Sequence, residues 1–558
     1  MDASADPDIA TSSRCGALLQ LAAALLWLPQ AGLLAWALQQ MADGQPRQRL
    51  LAAAAGVLAL GVLRAWSDGA GVLRVNRAAR AALSRLRVRA LQVLAHVSPL
   101  DKARPSSGQA ASVLAEQAEA VVPWLARYQA AMWRVRVVPL VFAVAVASQS
   151  WVAALILIFA APLIPLFMAI VGWRARAASE EQLAEMGGMN AFMLDRLRGL
   201  GTLRALGAVD ASAQSLRQHA ETLRQRTMRV LRIAFLSSAV LELFSALGVA
   251  MVAVYVGFHL LGTLPFGAWG QQLSLGQALF VLLLAPAFFE PLRELSAVWH
   301  DRAAGEAALD ALESLCHQAA PIVGSIEAGG TPSAAPAEVE IAGIEVRAPG
   351  SETRLTLLSL RVEAGEHVAL WSPSGSGKSV LLAQLAGLVP AERGEIRIDG
   401  QPLNAENAAA LRSRMAWMGQ RAHVFAASMQ RNVSLGRSHI GADEIRAASE
   451  QAALGAVLQA RAAASLGEGG CGLSGGEVLR LALARLAVNR EAGLLLVDEP
   501  TAHLDPATAQ QITDGLLHIA RGRTLIVATH DARLAQRMDR VIHLPSLDER
   551  PAAERKAA

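Results

Sequence analysis

Six apolar runs before about residue 300 constrain this chain more than any other feature: Ala17–Leu38, Leu50–Trp66, Val135–Ser150, Trp151–Trp173, Ala234–Leu261 and Leu273–Phe289. Runs of roughly 17–25 nearly uncharged residues match the hydrocarbon thickness of a bilayer, and in lipid the backbone of such a run is satisfied as a helix. Residues 1–315 are therefore expected to form an all-α, six-helix transmembrane domain. A mean hydropathy of +0.34 with 18% charged residues points the same way.

The connections between runs alternate short and long. The third and fourth runs meet at Ser148-Gln149-Ser150, which leaves room only for a tight turn. The two long connections, Ser67–Arg134 and Arg174–Ile233, lie on one side. They carry Arg74, Arg77, Arg80, Arg85, Arg87, Arg89, Arg174, Arg176, Arg224, Arg226, Arg229 and Arg232, so that side is cytoplasmic by the positive-inside rule; Arg47 and Arg49 oppose it but are outnumbered. With arginine placed at span flanks, the net charge of +4 reads as membrane topology, with no nucleic acid as partner. Stretches such as Arg77–Leu94 and Ala211–Leu231 hold few helix breakers, so the membrane helices should continue into the cytoplasm as stalks. Pro29, Pro162, Pro165 and Pro286 predict kinks within spans. The polar start Met1–Ser13, with Asp2, Asp6 and Asp8, is the wrong charge pattern for a cleaved signal peptide, so the first run is expected to stay as an anchor.

Cys15, Cys316 and Cys471 are far apart and show no metal-ligand spacing, which reads as free thiols. Glu242, a carboxylate within an apolar run, is either a pathway group or one paired with an Arg near the span end. The stretch 316–338 is rich in Ala, Gly, Pro and Ser and reads as a linker. From 339 to 545 short apolar strands alternate with helical stretches, the pattern of an α/β domain. Residues 546–558 are expected to be a disordered tail.

The strongest local signal is Ser372-Pro373-Ser374-Gly375-Ser376-Gly377-Lys378-Ser379, directly after the strand His367–Trp371 and before a helix. Glycines let backbone N–H groups turn toward phosphate, the helix start adds positive charge, Lys378 reaches the β/γ-phosphates and Ser379 holds Mg²⁺. The usual first residue of such a P-loop is Gly; Ser372 stands there and is expected to strain the turn. A second apolar strand ends in Asp498-Glu499, which places Asp498 on the Mg²⁺ shell and Glu499 beside the γ-phosphate to polarise water.

Between these lies Leu473-Ser474-Gly475-Gly476-Glu477, followed by Arg480. With Gln420 after the strand Met415–Gly419, Asp505 in Thr501–Asp505, and His530 after Thr524–Ala528, the region Val339–Ile542 resembles the ATP-binding cassette of ABC transporters. The resemblance implies a P-loop NTPase cassette that binds ATP and Mg²⁺ and works as a dimer. Ser374, Gly375, Ser376, Gly377, Lys378 and Ser379 would hold one nucleotide, Asp505 would also belong to the nucleotide-binding set, and Ser474, Gly475 and Gly476 would close over the partner's. Glu499, His530 and Gln420 would be catalytic, with Ser379, Gln420 and Asp498 on the metal. Two departures stand out: no aromatic occurs in Val339–Leu370, where the family stacks adenine and where Ala348 is the nearest candidate, and Glu477 replaces the usual Gln.

The membrane half narrows the resemblance. Trp151–Leu157, Ala161–Met168, Leu194–Gly199, Val230–Ser238 and Leu284–Arg293 are similar to the CydD family, one half of the bacterial CydDC transporters of ABC exporter type. That implies a CydC-like partner in a heterodimer, the bacterial inner membrane, and export of cysteine and glutathione in support of cytochrome bd assembly. Haem is the competing cargo, for which His300, beside Trp299 and Arg302, is the candidate ligand. A non-pumping, ATP-regulated membrane regulator is the reading from another class.

Overall fold

The computed structural model describes residues 7–44, 46–101, 103–105, 107–164, 189, 192–193, 195–197, 199–270, 272–317, 320–324, 334–347, 354–356, 359–373, 376–420, 422–460, 466 and 473–544. The expected tail 546–558, Pro165, Ala348, Ser374, Gly375, Cys471 and most of the fourth span after Ile164 lie outside these. The chain divides into two compact units, Met1–Ala90 with Ser107–Ser314, and Leu91–Ser106 with Leu315–Ala558.

The first unit is helical. Its first crossing, Thr11–Ala42, is two helices, Pro7–Leu25 and Trp27–Ala42. The break falls one turn before Pro29, which has no N–H to offer a carbonyl of the preceding turn. Pro286, by contrast, lies inside the unbroken helix Leu275–Ala297, and the helix Trp151–Ala160 ends before Pro162. Arg47–Ala95 is one helix of 49 residues and Val209–Leu260 one of 52. At 1.5 Å per residue these run to roughly 70 and 80 Å, more than twice the hydrocarbon core. Both long connections therefore begin or end as continuations of membrane helices, as the scarcity of breakers predicts.

Among the described residues five helices are long and apolar enough to cross a membrane, and Trp151–Ala160 is a shorter apolar helix. The turn before it is tight: three residues separate it from the end of Gln129–Ala147, and Ser150 accepts from Ala153 N while donating to Gly267 O at 2.7 Å. Buried His259 pins the other short connection, donating from Nδ1 to Leu264 O (2.7 Å) and accepting from Leu273 N at Nε2 (3.2 Å). Phe142, Leu157, Val252, Leu284 and Phe289 form the core. Leu51, Leu58, Leu140, Phe159 and Leu243 are exposed, as lipid-facing side chains are.

In the second unit, strands β1 (Val339–Ala342), β4 (Ser359–Val362), β6 (Glu395–Ile398) and β7 (Gln401–Pro402) make an antiparallel sheet in the order β4-β1-β6-β7. β2 (Glu345–Arg347) and β3 (Arg354–Thr356) pair separately. β5 (His367–Trp371), β8 (Met415–Met418), β9 (Leu494–Asp498), β10 (Thr524–Thr529) and β11 (Arg540–His543) form a parallel sheet in the order β11-β5-β10-β9-β8. All residues of β9 and β10 are buried, which is why both read as unbroken apolar runs. Because the strands are parallel, the residues that follow β5, β8, β9 and β10 emerge along one edge.

Part of the stretch read as linker is fixed within this unit. Ser98 N donates to Ala320 O (2.9 Å), Ala320 N to Asp101 Oδ2 (2.5 Å) and Ile322 N to His96 O (2.7 Å). One residue on, Val323 N donates to Gly387 O (2.9 Å) and accepts Arg412 Nη1 at its carbonyl (2.6 Å). Residues 96–101 and the turn after the Lys378–Leu385 helix thus hold opposite ends of one short strap.

Candidate nucleotide site

The phosphate loop is built where β5 turns into the helix Lys378–Leu385. Gly377, at φ +90°, is its N-cap, a conformation that costs glycine nothing and any other residue strain. Lys378 is buried, and its ammonium donates to the carbonyls of Ser372 (2.7 Å) and Pro373 (3.0 Å). Ser372 does not strain the turn: its φ is negative, and its hydroxyl, buried, meets that of Ser376. Among the described residues of the loop, the position that favours glycine by its backbone is 377.

Asp498 closes β9 and is buried, with Oδ1 lacking a hydrogen-bond partner among the described residues. Burial pushes its carboxyl above the ordinary aspartate range, and the Ser379 hydroxyl, hydrogen-bonded to it, opposes that rise. A buried carboxylate oxygen left over beside a serine hydroxyl fits a Mg²⁺ shell that takes its other ligands from phosphate and water. Gln420, two residues after β8 and exposed, stands on the same sheet edge beside β9.

Glu499 follows with a left-handed backbone, φ +50°, a conformation that costs about 1–2 kcal/mol for a non-glycine residue and clusters at functional sites. Its N–H is held by Ala528 O at 2.9 Å. The side chain is buried, with Oε1 3.5 Å from Lys378 Nζ and Oε2 in contact with Nδ1 of His530. Three strand ends, β5, β9 and β10, thereby bring Lys378, Ser379, Asp498, Glu499 and His530 together.

Ser474 and Asp505 are exposed and lie at two other helix starts. Ser474 caps Gly475–Val488 in a reciprocal box: its Oγ accepts from Glu477 N (3.3 Å), and its N–H donates to Glu477 Oε2 (2.7 Å). Its hydroxyl also donates to that carboxylate at 3.0 Å. Asp505 caps Pro506–Ala520 by accepting from Ala507 and Thr508; these bonds, those from Thr508 foremost, hold its carboxyl below the usual aspartate range. A Cβ on Gly475 would meet nothing within 4 Å. Among the described residues none of Ser474, Gly475, Gly476 and Asp505 contacts Lys378 or Glu499. The role of Glu477 as the partner of Ser474 is a feature the motif reading passed over, although Ser-x-x-Glu before an apolar run signals it.

In the membrane unit, His300 is exposed at the start of the helix Trp299–His317. Its neighbours are engaged elsewhere. Trp299 packs edge-on to Tyr128 at 6.0 Å, and Arg302 lies 5.8 Å from both rings while pairing with Glu306 at 2.8 Å. Glu242 is exposed on the long helix Val209–Leu260.

Two family models match: "ABC transporter" over residues 355–502 and "ABC transporter transmembrane region" over 15–292. The glutathione/L-cysteine transport system ATP-binding/permease protein CydD of Escherichia coli (strain K12) is 35% identical over 519 residues, covering 92% of this chain and 87% of its own. The protein of that system named CydC in Bacillus subtilis (strain 168) is 28% identical over 467 residues, covering 82% and 79%. A solved bacterial Atm1-family ABC exporter with ATP bound superposes with a TM-score of 0.76 at 21% identity, covering 96% of this chain and 93% of its own, a likeness of fold.

Proposed function

We propose that this chain, which belongs to the ABC transporter family and within it to the CydD family, pairs with a CydC-type half-transporter to export cysteine or glutathione, in support of cytochrome bd assembly. It is a multi-pass protein of the bacterial inner membrane with its ATPase in the cytoplasm, and hydrolysis of ATP drives transport. The observation that carries the reading is Glu499, fixed between Lys378 and His530 at the edge of the parallel sheet.

From that geometry the chemistry follows. Lys378 and the N–H groups of the loop bind the β- and γ-phosphates, and Ser379 and Asp498, with Gln420 beside them, would hold Mg²⁺, which neutralises charge developing on the phosphoryl oxygens. Glu499 orients the attacking water as its carboxylate, while His530, sharing that carboxylate, positions it and faces the γ-phosphate. Ser474 and Gly475 would close over the nucleotide of the partner cassette. Gly475 supports this, because packing within its own cassette does not require a glycine there. Binding then draws two cassettes together and hydrolysis releases them.

The cargo assignment rests on the name of the Escherichia coli relative. Haem gains no support at His300, whose aromatic and cationic neighbours already serve Tyr128 and Glu306. An intact Glu499–His530 pair favours turnover over a purely regulatory role. The test is ATP-dependent uptake into inverted vesicles that contain this chain and its partner, with cysteine, glutathione and haem compared side by side. Uptake of a thiol supports the reading; uptake of haem alone overturns it.

A further inference from the structure

Arg485 lies on the helix Gly475–Val488, the one that Ser474 caps, and its guanidinium grips a different segment. Nε donates to Asn432 O (2.8 Å), Nη1 to His423 O (2.7 Å) and Nη2 to Asn432 Oδ1 (3.0 Å). The Phe425 ring lies 5.9 Å from the charge. Among the described residues no carboxylate pairs with Arg485, and burial holds its guanidinium below the ordinary arginine range. A cation withdrawn from water without a counter-charge is costly unless its N–H groups are met. Here a rigid planar fork meets acceptors that one ammonium could not meet together.

The gripped segment is built around Asn432, which is fully buried. Its Oδ1 accepts from Phe425 N (2.9 Å), and its Nδ2 donates to Phe425 O (2.9 Å) and Ser428 O (3.2 Å). Residues 423–432 are thereby fastened to the Gly475–Val488 helix. On the other side, Met418 of β8 is paired with Val497 of β9. The stretch from Met418 to His423 bridges the parallel sheet and the helix, and Gln420 stands within it.

The helix is tied to the sheet just past its C-terminal end, where Asn489 donates to Met415 O at 3.4 Å. At 1.5 Å per residue, Ser474 is about 22 Å from Asn489 along the helix and Arg485 about 6 Å, so a tilt about that end that moves Arg485 by about 1 Å moves Ser474 by about 4 Å. Any such tilt is absorbed between Met418 and His423, where Gln420 stands.

We propose that Arg485 is a positioning residue that locks Gln420 to the tilt of the Gly475–Val488 helix, so that Gln420 at this chain's nucleotide and Ser474 at the partner's are set in one motion. The proposal rests on the paired-cassette reading above and adds a regulation to it. Closure of Ser474 over the partner's nucleotide carries His423, and with it Gln420, to a new position at the other site. By linkage the effect is reciprocal: occupancy of either site changes the affinity of the other.

The test is ATP hydrolysis as a function of ATP concentration in the full heterodimer. The parent should give a Hill coefficient above 1. Arg485→Lys, which keeps the charge and loses the fork, should lower it to about 1. A merely structural arginine would lower the melting temperature and kcat and leave the Hill coefficient unchanged, so that result overturns the proposal. A hyperbolic dependence in the parent overturns it as well; either result leaves the transport reading standing. Should Arg485→Lys not assemble, hydrogen exchange on the unmutated heterodimer decides. Amides of 423–428 and 475–479 should change protection at one common ATP midpoint; separate midpoints, or a change in one segment alone, overturn the proposal. No ATP hydrolysis by the parent heterodimer overturns both the proposal and the transport reading.

Discussion

Lys378 Nζ lies 3.5 Å from Glu499 Oε1, and both side chains are almost wholly buried, 4% and 8% exposed. Buried opposite charges at this distance leave a large uncompensated cost when one is removed, about 3–5 kcal/mol. Lys378→Ala should therefore reduce cassette stability as well as nucleotide binding. Lys378→Met, which keeps the stem, should lose binding and still leave Glu499 without its buried ammonium partner, with His530 alone against its carboxylate. Thermal unfolding with and without ATP checks this: both variants should melt lower than the parent and gain no stabilisation from ATP.

His530 is half-exposed and touches Glu499 through Nδ1. Its removal should lower turnover by about a hundredfold, the scale of losing one positioned donor in a transition state, with little change in ATP affinity. Equilibrium nucleotide binding together with single-turnover hydrolysis on His530→Ala separates the two effects.

Ser372 keeps a negative φ and a hydroxyl against Ser376. Ser372→Gly should therefore leave turnover unimproved and soften the loop. A clear gain in turnover in that variant would show that serine strains the site.

Ser474 is held by Glu477 from three directions. Ser474→Ala should cost about 1 kcal/mol of cassette stability through the lost cap. Glu477→Gln retains an acceptor for the Ser474 N–H, so it should preserve most of that stability. Urea unfolding of the two variants gives the comparison.

Asp101 accepts from Ala320 N at 2.5 Å and so helps hold the strap before the cassette. Asp101→Ala should increase proteolytic cleavage around residues 320–324, with ATP hydrolysis retained. Unaltered cleavage kinetics would mean that the backbone bonds of Ser98 and Ile322 suffice.

The candidate nucleotide site was legible because each part is a short local pattern with a fixed context: strand, loop and helix for Lys378, strand end for Asp498 and Glu499. The long helices were legible from the scarcity of breakers between Arg77 and Leu94. What was not legible depends on residues distant in sequence. Arg134 and Glu294, 160 residues apart, show no relation in the sequence, and only packing of the helices brings them into an ion pair. Likewise Leu91–Ser106 groups with the second unit through backbone bonds to 320–322, and backbone bonds leave no mark on side-chain pattern. The strain expected at Ser372 misjudged a backbone angle that the residue's type does not report.

The most direct test of the account is ATP-driven uptake of cysteine or glutathione into inverted vesicles carrying the heterodimer, measured in the parent and in Glu499→Gln. The account predicts uptake in the parent and a loss of about 10²–10⁴-fold in hydrolysis and uptake together in the variant. Equal uptake in the two would contradict it.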